Sequence, residues 1–268
     1  MSENTPQPHD EVLYSVATHV AVITLNAPER MNTISGPMLN ALTRRLLQAN
    51  EDPAVRCVIL TGSGRAFCAG LDLRQNRPEG GISAASLPTT LDLRNTPPTV
   101  LQAMDKPTIC AINGGAAGYG MDTALGCDIR VMAQSAKLAA AFVKRGVVPE
   151  SGGTWYLPRM IGWAKATELI FTSRTLSAQE SLAWGLANVV VPDADLMAAA
   201  HALAQEIAAN APLAVQAAKR MMRMGLNETF PDHVHDVYLQ LLPLFKTQDM
   251  AEGMAAFMEK RAPQFKGQ

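Results

Sequence analysis

The feature that most restricts the fold is a pair of glycine-rich turns, each of which directly follows a short apolar run. The run 55–60 leads into the turn 61–73, and the run 108–112 leads into the turn 112–122. Short apolar runs bounded by glycine or proline are typical of strands buried in a parallel sheet. Glycine also lets a ligand approach the peptide groups closely. Two N–H groups from different turns, aimed at one point, would form an oxyanion hole, although tight packing of strand ends explains the glycines equally well.

The first half of the chain alternates between strand-like and helix-like segments. Residues 12–16 and 20–25 predict a pair of strands, because both are rich in β-branched residues and a short polar link joins them. Leu39, Leu42 and Leu46 then recur at helical spacing. A further apolar run at 129–132 predicts another strand. This alternation indicates an α/β fold.

The second half is predicted to be helical. Ser177 and Glu180 have the spacing of a capping box, and Gly185 would end that short helix. Two longer segments each carry an apolar face, which requires a partner surface in the first half of the chain or in another subunit. The first face consists of Leu196, Ala199, Ala200, Leu203 and Ile207, and the second of Met250, Met254, Phe257 and Met258.

Residues 74–98 form the least regular stretch of the sequence and end on Pro97 and Pro98. A connection of this length in a compact domain is usually functional and often forms a lid over a site. A solvated connection without a role is the alternative.

Charge and apolar content exclude several classes of function. Lys and Arg total 23, Asp and Glu total 24, and the formal net charge is −1. Without a basic excess, we expect neither a nucleic acid nor a membrane surface as a partner. No apolar stretch approaches the ~20 residues of a membrane span, and the polar N-terminus does not look like a signal peptide. Four scattered cysteines predict buried, reduced thiols and a cytoplasmic location.

Several common catalytic motifs are missing from the sequence. Neither glycine-rich turn matches a nucleotide-phosphate cradle, and no serine lies in a nucleophile elbow. His233 and His235 would point apart on a helix, so we expect no metal site there.

Six motifs in order resemble the enoyl-CoA hydratase/isomerase (crotonase) superfamily, and together they extend over nearly the whole chain, from about residue 12 to residue 266. Because several motifs match in order, the resemblance is far more specific than any one of them. The motifs are PERMN at 28–32, AFCAGLDL at 66–73, AING at 111–114 with GYG at 118–120, PESGGT at 149–154, LPRMIG at 157–162, and FMEKR at 257–261.

The resemblance implies a crotonase-like (ClpP/crotonase) α/β spiral of ββα repeats that form two nearly perpendicular sheets. It implies a core with the acyl-CoA site over residues 1–195. A C-terminal helical region over 196–268 would serve oligomerisation and form part of the CoA site. Homotrimers, and hexamers built from paired trimers, are common in the superfamily. The substrate would be an acyl-CoA thioester, with no cofactor beyond that CoA and no metal.

The resemblance also assigns residues to the site. The two N–H donors of the oxyanion hole map onto Leu71 and Tyr119, and the second position is glycine in many relatives. The glycine-rich turns, neighbouring residues and a few cations would bind the substrate and its CoA. These candidates are Arg30, Met31, Ala66, Ala69, Gly70, Asp72, Leu73, Gly118, Phe142, Lys260 and Lys266.

The carboxylates determine which reaction the resemblance implies. The two glutamates of hydratases map onto Asp122 and onto Phe142, which cannot move a proton. Glu150 lies where some relatives, including Δ3,Δ2-enoyl-CoA isomerases, place their catalytic acid. We therefore expect isomerisation with Glu150 as the proton shuttle and Asp122 in support. A carboxyl in an apolar pocket is expected to have a raised pKa.

Three alternatives to this interpretation remain open. Asp122 and Glu150 together would hold a water molecule in a hydratase. A non-catalytic protein would bind acyl-CoA without turnover. Without the resemblance, Asp122 would be interpreted as stabilising a helix N-terminus and Glu150 as capping the following helix.

Overall fold

The computed structural model describes residues 10–72 and 96–268, which form two β-sheets and the helices that pack around them. In these ranges no helix has the length and hydropathy needed to cross a lipid bilayer. The strands are β1 (Val12–Ala17), β2 (Val20–Leu25), β3 (Cys57–Gly62), β4 (Ala66–Cys68), β5 (Thr108–Ile112), β6 (Gly115–Ala117), β7 (Ile129–Ala133), β8 (Lys137–Ala139), β9 (Thr175–Ser177) and β10 (Val189–Val191). The helices are α1 (Gly36–Glu51), α2 (Pro97–Ala103), α3 (Tyr119–Gly126), α4 (Gly153–Thr172), α5 (Ala178–Trp184), α6 (Leu196–Ala208), α7 (Pro212–Gly225), α8 (Phe230–Leu244) and α9 (Gln248–Glu259).

The larger sheet has the strand order β1-β2-β3-β5-β7-β10, and the smaller sheet has the order β4-β6-β8-β9. Strands β1 and β2 pair antiparallel, whereas each later pair in the larger sheet is parallel. Strand β3 continues into β4, β5 into β6, and β7 into β8. Each of these connections passes the chain from the larger sheet to the smaller one. Both glycine-rich turns lie at such crossings, which agrees with the spiral of ββα repeats that we predicted.

Local sequence signals fix several helix ends. The hydroxyl of Ser35 accepts a hydrogen bond from the N–H of Met38 at the start of α1. The predicted capping box is confirmed, because Ser177 and Glu180 bond to each other's backbone N–H groups and Gly185 ends α5 in a left-handed conformation. Such caps satisfy backbone groups that the helix itself leaves unpaired.

Most strand and helix predictions of the first half are confirmed, with small shifts at the ends. Strand β3 begins at Cys57 instead of Val55. Helix α3 begins at Tyr119, and Asp122 lies in its first turn. The four cysteines are free and buried, as expected. Of the irregular stretch, residues 74–95 lie outside the described residues, and Pro97 and Pro98 open α2.

The apolar face of α6 differs in part from the predicted one. Leu196 and Ala200 are buried as predicted, and the remaining buried positions of the helix are Ala204 and Ala208. Ala199, Leu203 and Ile207 are half-buried and pack at the margin of the core. Helix α6 contacts strands β2, β3, β5 and β7 of the larger sheet. Close packing against a sheet favours alanine at the central contact, because a small side chain lets the two backbones approach.

Candidate active site

The two glycine-rich turns meet at Gly70 and Tyr119. Gly70 has a φ of 105°, a conformation that favours glycine. A Cβ atom placed on Gly70 would lie 3.1 Å from the carbonyl oxygen of Ala117 and 3.9 Å from the backbone nitrogen of Tyr119. The chain after β4 therefore lies directly beside the start of α3.

The backbone N–H groups of Leu71 and Tyr119 belong to this junction. Ile34 N donates to Gly70 O (2.8 Å), and Asp72 N donates to Ile34 O (2.9 Å). In such a parallel bridge the residue between the two bonds turns its own N–H to the opposite side. Tyr119 is the first residue of α3, where the N–H has no acceptor within the helix. Both residues border the same cavity.

This cavity has a volume of about 410 Å³ and contains most of the predicted site residues in its wall. They are Arg30, Met31, Ala69, Gly70, Leu71, Asp72, Gly118, Tyr119, Phe142 and Glu150. The cavity also contains residues that the sequence analysis did not name, namely Glu29, Thr33, Arg65, Ala141, Arg145 and Val147.

Glu150 is exposed and borders two cavities. The second cavity, of about 420 Å³, is lined by the indole and phenol rings of Trp155 and Tyr156, which meet edge to face at 5.2 Å, and by neutral polar groups. Glu150 is the one residue common to the two lining sets among the residues described. The following helix has Gly152 as its N-cap, with no side-chain hydrogen bond, so the alternative in which Glu150 caps that helix is wrong.

Asp122 is fully buried, with 0% exposure, and the structure does not bring it to the cavity wall beside Tyr119. Its Oδ2 accepts hydrogen bonds from the backbone N–H groups of Ser151 (3.3 Å) and Gly153 (3.1 Å). The pKa of the Asp122 carboxyl is raised to about 7. Burial is the main cause and the nearby charge of Glu150 contributes, whereas the hydrogen bonds from the two N–H groups act in the opposite direction. Asp122 lies in the first turn of α3, and its carboxyl also accepts hydrogen bonds from backbone N–H groups at the start of α4.

Phe142 is buried and forms part of the cavity wall next to the turn at Gly118, where a Cβ atom would lie 3.8 Å from the ring. A phenyl ring offers only apolar contact at this position. Among the described residues of this wall, the carboxylates belong to Glu29, Asp72 and Glu150, and Phe142 adds none.

The positive charges of the cavity differ from those expected. Arg30 borders it, but its guanidinium is paired with Glu11 (2.6 Å) and also donates to the Thr33 carbonyl oxygen. Arg65 and Arg145 are exposed and border the same cavity. Arg65 lies inside the first glycine-rich turn, so its position was visible in the sequence, but a single arginine in a turn is usually only a solvated charge.

Three other predicted residues lie elsewhere. Ala66 is buried in β4 and uses its carbonyl oxygen to accept from the side chain of Asn32 (2.8 Å). Lys260 and Lys266 are exposed in the tail, away from the walls of the cavity in the described part of this chain. Leu73 lies outside the described residues.

Comparisons with known proteins show which family the chain resembles in sequence and fold. The model of the enoyl-CoA hydratase/isomerase family matches residues 16–268. A 1,2-epoxyphenylacetyl-CoA isomerase of Escherichia coli (strain K12) is 38% identical over 260 residues, which cover 96% of this chain and 98% of the relative. An (E)-benzylidenesuccinyl-CoA hydratase of Thauera aromatica is 37% identical over 258 residues, with coverage of 96% and 99%. The crystal structure of an enoyl-CoA hydratase from Bacillus anthracis superposes with a TM-score of 0.88 at 36% identity, covering 97% of this chain and 100% of that chain.

Proposed function

The chain belongs to the enoyl-CoA hydratase/isomerase family, whose members act on acyl-CoA thioesters, and we propose that it is an isomerase of the Δ3,Δ2-enoyl-CoA type. The observation that carries the proposal is the position of Glu150 in one cavity wall with Leu71 and Tyr119, while an apolar ring stands at Phe142. One carboxylate suffices to move a proton between two carbon atoms. Holding and splitting a water molecule normally uses two groups, an acid and a base.

The reaction would begin with the thioester carbonyl oxygen between the N–H groups of Leu71 and Tyr119. The Glu150 carboxylate removes a proton from C2 of the 3-enoyl thioester, and the electron pair of that C–H bond delocalises into a dienolate. The same carboxyl returns the proton to C4, which leaves the double bond at C2–C3 and restores the carboxylate. Two N–H donors aimed at the enolate oxygen stabilise the charge that develops, and loss of one such donor typically costs about 3 kcal/mol.

The walls of the two cavities suggest how the substrate would lie. Arg65 and Arg145 would attract the phosphates of CoA at the rim of the first cavity, with Met31 and Ala69 in apolar contact. Because Glu150 borders both cavities, the acyl group would continue past it towards Trp155 and Tyr156. The proposed chemistry requires no metal and no cofactor other than the CoA of the substrate.

A panel of CoA thioesters incubated in heavy water and followed by mass spectrometry tests the reaction class. Isomerisation predicts deuterium at C2 or C4 without a gain of one water. A gain of one water would establish hydration instead, and a second group beside Glu150 would then have to hold the water. Binding of thioesters with neither exchange nor turnover would establish a non-catalytic acyl-CoA-binding protein.

The variant Glu150→Gln tests the proton shuttle on whichever thioester proves to be turned over. The amide keeps the shape and hydrogen bonding of the side chain but cannot accept a proton. We expect kcat to fall about 10²- to 10⁴-fold while KM hardly changes. Near-normal turnover of this variant would transfer the proton-moving role to another group.

A further inference from the structure

The backbone that follows Glu150 is wrapped tightly around the carboxyl group of Asp122. The N–H groups of Ser151 and Gly153 both donate to Oδ2. This one oxygen therefore holds the backbone between Glu150 and the start of α4. Oδ1 is buried and has no hydrogen-bond partner among the described residues. Asp122 is itself anchored in the first turn of α3, whose first residue is Tyr119.

The contact leaves no room for a larger residue at Gly153. A Cβ atom there would lie 2.4 Å from Oδ1 of Asp122 and 2.9 Å from the Pro149 side chain. Gly153 does not have a positive φ, so its backbone conformation does not require glycine. Glycine is needed at this position because the Asp122 carboxyl lies so close. The segment from Pro149 to Gly153 is therefore folded against one carboxyl group, with the Glu150 side chain directed outward to the cavities.

We propose that Asp122 is a positioning residue for Glu150: it fixes the backbone of 151–153 relative to Tyr119 and so sets the distance from the proton shuttle to the oxyanion hole. The proposal rests on the proposed function of Glu150. It excludes Asp122 from holding the attacking water, because the buried carboxyl has no contact with the cavity. Small displacements of a catalytic group are costly, and about 1 Å can reduce the rate 10²-fold.

A neutral acceptor is enough for this role. Because the pKa of Asp122 is about 7, a large share of the molecules at neutral pH carry the protonated acid. The protonated form still accepts hydrogen bonds through its second oxygen, and so does an asparagine amide. Asp122→Asn therefore keeps the acceptor for Ser151 and Gly153 but abolishes proton transfer at this position.

The test compares Asp122→Asn with Asp122→Ala. We expect Asp122→Asn to retain kcat within about 3-fold of the wild type, whereas Asp122→Ala lowers kcat about 10- to 100-fold with little change in KM. If both variants lose activity equally, Asp122 transfers protons itself and the proposal is wrong. A rise in KM with unchanged kcat would also overturn it.

A second pair of variants keeps the proposal testable if Asp122→Ala does not fold. Gly153→Ala places a methyl group against the intact carboxyl and should also lower kcat at nearly constant KM. In the Glu150→Gln background, either change should add less than 2-fold, because the group being positioned can no longer act. Independent, multiplicative losses in that background would contradict the positioning role. Near-normal turnover by the single variant Glu150→Gln would contradict the proposed function and not the positioning role.

Discussion

At the scale of single residues, the buried carboxyl of Asp122 imposes a cost on the folded state. The pKa of this group is about 7 in the folded chain, compared with the ordinary value of 3.8 that applies when the chain is unfolded. Between these two values the folded state binds more protons than the unfolded state, so the free energy of unfolding falls as the pH rises. Above about pH 7 both states are ionised and this dependence ends.

This cost predicts a pH-dependent difference in stability between the wild type and Asp122→Asn. The free energy of unfolding of the variant should rise relative to that of the wild type between pH 4 and pH 7, by at most about 4 kcal/mol, and the difference should then stay constant. Urea unfolding at a series of pH values, at one protein concentration, measures it. Parallel pH curves for the two proteins would show that Asp122 keeps an ordinary pKa.

A second prediction at this scale concerns Arg65 and Arg145. Both are exposed at the rim of the cavity, and the third arginine of that wall, Arg30, is already paired with Glu11. Replacing Arg65 or Arg145 with alanine should raise KM for a CoA thioester about 2- to 10-fold at low salt and less at high salt, with kcat unchanged. Lys137→Ala, which removes an exposed charge outside the cavity wall, is the matched control. Unchanged KM in both arginine variants would place the CoA phosphates elsewhere.

At the scale of elements, the sequence predicted those parts of the fold that depend on local chemistry. The strands at 12–17, 20–25 and 108–112, and the capping box of α5, follow from β-branched runs and from the pairing of Ser177 with Glu180. The face of α6 was predicted less well. The contact between α6 and the larger sheet favours small residues such as Ala204 and Ala208. The spacing of apolar residues in the sequence does not show which side of the helix lies closest to the sheet.

In the candidate site, too, the sequence predicted some features, whereas those that depend on how elements pack together required the structure. The resemblance that the motifs carry assigned Glu150, Leu71 and Tyr119 to one site, and all three border one cavity. The close packing of Asp122 on residues 151–153 depends on how α3 meets α4, which no spacing of residues reveals. For the same reason the pairing of Arg30 with Glu11 and the position of Arg145 in the cavity wall required the folded structure.

At the scale of the whole molecule, the last two helices expose most of their apolar side chains to solvent. In the part of the chain that the structure describes, no residue of α8 is buried, and α9 buries only Asp249 and Ala256. The exposed fractions are 54% for Met254, 78% for Phe257 and 75% for Met258. Apolar surface of this extent on a globular chain usually marks a contact with another protein.

We therefore predict that the chain assembles through the faces of α8 and α9. The sequence analysis named the face on α9, and the resemblance implies a homotrimer or a hexamer. Phe257→Asp would place a charge in the contact, so it should shift the assembly towards the monomer and lower its thermal stability. Gln248→Asp adds the same charge to an exposed position of the same helix and is the matched control. Sedimentation at micromolar concentration measures the assembly. A monomeric wild type, or an assembly of Phe257→Asp indistinguishable from that of the control, would show that this face does not join subunits.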